Sequence, residues 1–176
     1  MTSRTTSSSR RAFTLIELIT VVAVLGIVAV AVGGPTLGYM DSVRARAASA
    51  RTAADIRFAQ RTAMASGLRT WVVFSTGAQS YQIFIENSAN PGKAGRVPLV
   101  RPYDQSSAPV DYGTGPFANV SLIGVDVHGG TEIEFDSWGK PYDTAGAPLA
   151  ATGVISLSNG VVIRVHPVGG CVERTG

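Results

Sequence analysis

The stretch RRAFTLIELITVVAVLGIVAVA, residues 10–31, decides the architecture. It joins two arginines to a hydrophobic run, and one carboxylate, Glu17, sits inside the apolar pattern rather than beside it. Residues 18–40 then carry no charge at all. As a helix this run is about 35 Å long, enough to cross a hydrocarbon core. A secretory signal would have a shorter apolar core with a small-residue cleavage site after it. A carboxylate at the edge of a membrane helix is costly unless a cation or hydrogen-bond donors meet it. If the chain is cut between Ala12 and Phe13, the new amino group lies four residues before Glu17, at the helix end where negative charge is favoured. In an assembly of parallel helices, the amine of one subunit could equally neutralise Glu17 of its neighbour. The stretch reads as a polymerisation stem whose charge pair sets the register.

Composition supports this and removes a rival. The chain of 176 residues has 15 Lys and Arg against 12 Asp and Glu, a formal charge of +3. Such a length suits one compact domain with an added element and excludes a large multidomain enzyme. A basic balance ordinarily suggests nucleic acid or anionic lipid as partner. Here Arg4, Arg10 and Arg11, in a leader without acids, supply the whole excess, and the remainder is balanced. Cys171, the only cysteine, cannot form an intramolecular disulfide or a cysteine-based zinc cluster. Arginines both precede and closely follow the apolar run, so the positive-inside count is a tie.

The N-terminal residues resemble the class III signal of type IV pilins and type II secretion pseudopilins: a short basic leader, a small residue, F-T-L-I-E and an apolar helix. The resemblance implies cleavage after Ala12 by a prepilin peptidase, N-methylation of Phe13, and an assembly role for Glu17. Ala12 stands where that family usually carries Gly and keeps the small size. It also implies a single-pass protein of the bacterial inner membrane. Its leader would be cytoplasmic and its head periplasmic or extracytoplasmic, later joining a pilus or pseudopilus. Inner-membrane lipid, the peptidase and other pilin or pseudopilin subunits are the partners implied.

The chain divides by pattern into a leader, 1–12, a transmembrane helix, 13–40, an amphipathic helix, 41–67, and a β-rich head, 68–176. Gly33, Gly34 and Pro35 should bend or loosen the helix, since Pro35 removes a backbone donor. Beyond them Val43, Ala47, Ala50, Ala54, Phe58 and Ala65 form a weak apolar stripe expected to cover the sheet. Ser66 and Gly67 supply a stop. Residues 41–69 set six arginines against Asp41 and Asp55, whereas residues 70–176 hold six bases and nine acids. That basic stem and acidic head suit contacts between copies or related subunits.

After Gly67 the period becomes alternating. RTWVVFST and SYQIFIEN are strands around a turn at Gly77, Ala78 and Gln79. Residues 87–117, rich in Pro, Gly and Ser, read as a long surface loop with at most a short strand near 97–100. Further strands are expected at 120–127, 132–135, 154–157 and 161–165, the last two joined by Ser158, Asn159 and Gly160. The fold class is α+β: a long bent N-terminal helix packed on a small antiparallel β-sheet head.

A narrower resemblance follows. AADIRFAQRTAMASGLRTWVVFS is similar to the helix-to-first-strand junction of the FimT/GspH group, and FDSWGKP and GVISLSNGVVIRVHPVGG resemble its closing segment. That resemblance implies a non-catalytic minor pseudopilin or pilin subunit that assembles into or caps a type II secretion pseudopilus. The alternative it carries is a type IV pilus minor pilin acting in pilus assembly or in DNA binding during natural transformation. DNA binding needs several cations near phosphates. The C-terminal segment offers only Arg164 and Arg174, so the phosphate-contact inventory is small.

No catalytic constellation can be assembled. His128 and His166 are isolated, no metal-ligand spacing occurs, and no Gly-rich phosphate loop follows a strand. Glu132, Glu134 and Asp136 alternate, so their carboxylates share one face, and with Asp143 they could hold calcium. A solvent-facing strand explains them more simply. No cofactor and no metal are expected.

Overall fold

The computed structural model describes residues 14–176, and the side chains of all of these except 30–37. Two compact units result, Met1–Tyr39 and Met40–Gly176. One helix, α1 (Leu15–Ser66), belongs to both. Ala12 and Phe13 lie outside the described residues, and Gly33, Gly34 and Pro35 fall where side chains are not described, so the bend expected there is not part of the described structure. Among the described residues no helix is long and apolar enough to cross a membrane.

Ten strands follow α1: β1 (Thr70–Ser75), β2 (Ser80–Ile85), β3 (Val97–Pro98), β4 (Val110–Asp111), β5 (Leu122–Asp126), β6 (Glu132–Phe135), β7 (Pro141–Tyr142), β8 (Gly153–Leu157), β9 (Val162–Val165) and β10 (Val172–Thr175). They form two antiparallel sheets. The larger has the order β3-β2-β1-β6-β7, with β4 added to β2, and the smaller has the order β10-β9-β8-β5. The architecture is α+β, a helix packed on antiparallel sheets. Both expected hairpins form: Gln79 ends the first turn at φ 51°, and Asn159 and Gly160 take φ 60° and 71° in the second. Those positive values are what Asn and Gly tolerate. Gly67, at φ 71°, closes α1 by donating to the Ala63 carbonyl at 3.0 Å.

The face of α1 that enters the core differs from the expected stripe. Ala45, Ala48, Thr52, Ile56, Ala59 and Ala63 are fully buried, at spacings of three and four. Val43 is 42% exposed, and Ala47, Ala54 and Ala65 are exposed too, whereas Ala50 is half-buried and Phe58 is half-buried and packs against the core. At 100° per residue the two series lie on opposite sides of the helix. Alanine occurs on both, so hydrophobic contrast could not separate them. What decides is closeness of approach: the sheet residues Val72, Phe74, Tyr81, Ile83, Ile133 and Phe135 fill the core from the other side. Thr70 Oγ1 donates to the Ala59 carbonyl at 2.9 Å, which fixes β1 against the helix.

Residues 87–117 are more than a surface loop. Val110, Tyr112 and Phe117 join the core, and Arg101 is 2% exposed. Strand β6 of the large sheet is buried on both faces, which explains a second difference. Glu132 and Glu134 share one face as expected, but they are 5% and 4% exposed rather than facing solvent. Glu132 meets Lys93 Nζ at 2.8 Å and an Arg96 guanidinium nitrogen at 3.1 Å. Glu134 accepts from Arg69 at 2.6 Å and from Trp71 Nε1 at 2.9 Å. The segment after β2 thus folds back and supplies the cations that let Glu132 be buried, while Arg69, just before β1, does the same for Glu134.

β10, in the C-terminal tail, was not expected from the sequence; it pairs with β9 and buries Val172. A repeat also emerges: Asp136–Pro141 and Asp143–Pro148 are both D-x-x-G-x-P turns. In each, the Asp Oδ1 accepts from the N–H two and four residues on, at 2.9 Å. The glycines, Gly139 and Gly146, take φ 76° and 79°.

Candidate assembly interface

The N-terminal part of α1 begins with a side-chain cap. Thr14 precedes the first helical residue, and its carbonyl accepts from Glu17 N–H at 3.1 Å and Leu18 N–H at 3.2 Å. Its Oγ1 also accepts from Glu17 N–H, at 3.3 Å. Thr14 and Glu17 therefore occupy the N-cap and N3 positions of a T-x-x-E capping pattern. Weighing Glu17 only as a charge hides Thr14, although S/T-x-x-E ahead of an apolar run is the signal for it. Glu17 sits in the first turn of the helix, where the unpaired N–H groups favour a negative charge. Thr20, the next polar residue, satisfies its own hydroxyl by donating to the carbonyls of Ile16 at 3.0 Å and Glu17 at 2.9 Å. Its hydroxyl is therefore met within the helix.

From Leu15 to Val28 every Leu, Ile and Val is exposed, ten residues on all sides of the helix. A helix apolar all round is stable only when something surrounds it. Covering ten such side chains is worth roughly 15–30 kcal/mol, at about 1.5–3 kcal/mol each. That exceeds the roughly 3 kcal/mol that one carboxylate near the middle of a membrane helix costs. Glu17 therefore does not prevent burial of the stem in lipid or in a helix bundle.

The head places the remaining residues of interest apart. Arg164 lies opposite Glu173 in the β9–β10 ladder, and Arg174 lies opposite Ile163. Side chains alternate along a strand, so the two arginines point to opposite faces of the sheet. Arg164 donates to Thr175 Oγ1 at 2.8 Å. His166 Nε2 lies 3.1 Å from Glu173. The two cations that DNA binding would draw on are thus not brought together. His128 is in the turn after β5 at φ 51°, and Cys171 is exposed. Asp136 and Asp143 are occupied with backbone N–H groups, and Glu132 and Glu134 with cations. Among the described residues no group of three or more His, Cys, Asp or Glu could hold a metal ion.

A buried polar network, also missed by sequence reasoning, ties the helix to the head. Asp55 is fully buried on the inward face of α1. It accepts from Tyr81 OH at 2.7 Å and from Tyr103 OH at 2.5 Å. Thr52 Oγ1 and Tyr112 OH are 2.6 Å apart. Burial raises Tyr81 well above its ordinary pKa, with the neighbouring Asp55 charge adding to the effect, and raises Tyr112 likewise. Arg51 donates to Asp104 at 2.7 Å, and Arg101 approaches the same carboxylate at 3.1 Å. Burial opposes the Asp104 charge, but these bonds and the Ser106 N–H hold it below its ordinary pKa.

Searches of curated proteins and of solved structures found no match. Residues 7–33 match the family model described as the prokaryotic N-terminal methylation motif. That motif covers the basic residues Arg10 and Arg11, the Thr14 cap, Glu17 and the exposed apolar run, and it marks the N-terminus as prepilin-type, which supports a chain of the pilin or pseudopilin kind.

Proposed function

We propose that the chain is a non-catalytic minor subunit of the FimT/GspH type, assembling into or capping a type II secretion pseudopilus. A prepilin peptidase cuts after Ala12, Phe13 becomes the methylated N-terminus, and the apolar stem holds the subunit in the inner membrane until assembly. The amine of Phe13 would sit at the positive end of the helix, an unfavourable place for a cation, and the Glu17 carboxylate on the same turn offsets it. Stems then pack side by side in a bundle, with the head on the outer side. The observation that carries this reading is an apolar helix exposed on all sides, opened by Thr14 and Glu17 within the methylation motif.

Glu17→Ala is the test. The variant should insert in the membrane as the parent does, because it removes a charge from the apolar segment. Its incorporation into filaments should fall at least tenfold, read by immunoblotting of sheared filament and membrane fractions. Normal incorporation would contradict the charge-pair mechanism.

A further inference from the structure

A protruding apolar cluster on the head has no part in stem packing. Trp138 is 87% exposed and Val168 is 86% exposed, each in a turn, and Met64 of α1 is 48% exposed. Both turns are pinned to one helix residue, because Gln60 Nε2 donates to the carbonyls of Gly139 and Gly169, each at 2.8 Å. Asp136 Oδ1 fastens the N–H groups of Trp138 and Lys140 at 2.9 Å. Gly139 lies so close to α1 that a Cβ there would come 2.8 Å from Met64 Sδ. The turn that carries the indole is thus already ordered, so covering the indole costs little further backbone entropy.

Cations flank this cluster. Arg57 and Arg61 share a face of α1 with Gln60 and Met64, at spacings of three and four residues. Arg57 donates to the Val172 carbonyl at 2.6 Å, beside the Val168 turn, and Lys140 stands in the turn of Trp138. Among the described residues none of these three cations makes an ion pair. The acid of the same turn, Asp136, is occupied by the two N–H groups and by Tyr142 OH at 3.1 Å. Exposed Trp and Met beside Arg is the makeup of an interface anchor.

The rest of the head decides what this surface can meet. Residues 70–176 hold more acids than bases, yet those acids are engaged inside the head. Among the described acids of the head, the Asp111 carboxylate alone has no hydrogen bond or ion pair. Arg46, Arg164 and Arg174, like the three cations of the knob, have no carboxylate partner. A second copy therefore presents cations and carboxylates that are already taken. The complementary surface, unpaired carboxylates around an apolar socket, belongs to a different chain. A contact of that kind suits a minor or capping subunit, which joins a neighbour unlike itself and need not repeat.

A membrane and a nucleic acid fit less well. Gln60 lies about 30 Å beyond Met40 along α1, which sets the knob far from the joint with the stem. Nucleic acid calls for rings that stack on successive bases and for several phosphate contacts, whereas Met64 and Val168 are aliphatic.

We propose that Trp138, Met64 and Val168 dock in an apolar socket on a different subunit of the filament, and that Arg61 and Lys140 pair with carboxylates at its rim. The proposal rests on the reading that this chain is a minor subunit.

The test uses the full-length chain in a cell that makes its processing and assembly machinery, with p-benzoylphenylalanine replacing exposed Ser137. The probes are the other prepilin-type subunits of that cell, each carrying its own epitope tag. Irradiation should join the chain to one of these subunits at a peptide that holds Asp or Glu, read by immunoblotting and peptide mass spectrometry. Trp138→Ala should reduce this product at least tenfold, and the fluorescence of buried Trp71 checks that the variant is folded. Arg61→Glu combined with Lys140→Glu should reduce it as far, and Lys in place of the partner's carboxylates should restore it. A product with a second copy of this chain, with phospholipid or with nucleic acid would overturn the proposal, as would one indifferent to Trp138→Ala or to charge reversal. Processed chain that enters filaments without any cross-link overturns the docking alone. A chain neither processed nor incorporated overturns the proposed function, and the docking with it.

Discussion

Asp55→Ala measures how far the buried network fixes residues 101–117 to the helix. Asp55 is fully buried and accepts from Tyr81 at 2.7 Å and Tyr103 at 2.5 Å. Tyr81 is 1% exposed, so its hydroxyl cannot recover its bond from bulk water. Leaving that donor unmet costs about 1–3 kcal/mol. Tyr103 is 54% exposed and regains water, so its loss is about 1 kcal/mol or less. Deleting the carboxylate also returns its desolvation cost, which offsets part of the loss. The net expectation is a destabilisation of about 2–3 kcal/mol, with Asp55→Asn nearer 1 kcal/mol because an amide oxygen still accepts. Urea titration of the full chain in detergent reads this, in a Trp138→Phe background where buried Trp71 is the sole indole reporter. A double-mutant cycle with Tyr81→Phe should give a coupling of about 1–2 kcal/mol, and one with Tyr103→Phe less. Unchanged or increased stability in Asp55→Ala, or no coupling to Tyr81, would refute the reasoning.

Stability should also fall in strong base. Tyr81 and Tyr112 are raised by burial, so above about pH 10 the unfolded chain loses phenolic protons that the native state keeps. Their contribution is whole below that pH and declines above it, by about 1.4 kcal/mol per pH unit for each tyrosine. Urea midpoints between pH 9 and 12 check this, and Tyr112→Phe should flatten the decline. At the acid end, Asp104 has a lowered pKa, so its contribution is whole above the unfolded carboxylate pKa and is lost as pH falls from there through the lower folded pKa. Asp104→Asn should shift the acid midpoint less steeply than the parent's. Gly139→Ala should cost about 1–2 kcal/mol, because φ 76° disfavours any L side chain and Met64 must move, while processing at the N-terminus stays intact.

The parts of the fold governed by local chemistry were legible in the sequence. Gly and Asn at turn positions marked both hairpins, and the alternation of 132–135 gave β6 its observed bounds. What was hidden depended on partners distant along the chain. The packing face of α1 was misjudged because alanine occupies both sides, and because the true face contains Thr52 and Asp55, which polarity rules place outside. Glu132 and Glu134 were assigned to solvent since nothing local announces that Lys93, Arg96 and Arg69 will cover them. Val110, Tyr112 and Phe117 were lost among prolines and glycines, and β10 in a short tail. In the stem the apolar run and Glu17 were plain, whereas Thr14 is visible only through the T-x-x-E capping pattern and not through charge. Arg164 and Arg174 were counted as the only cations of the C-terminal segment, and the period-two alternation of antiparallel strands sends them to opposite faces.

Everything proposed about assembly depends on how the N-terminus is processed. Intact-mass and peptide mass spectrometry of the protein purified from membranes of a cell that makes its own prepilin peptidase measures this directly. The expected mature chain begins at Phe13, carries one methyl group on its α-amine, and retains Glu17 unmodified. A chain that still begins at Met1, or one cut beyond residue 30, would contradict the account.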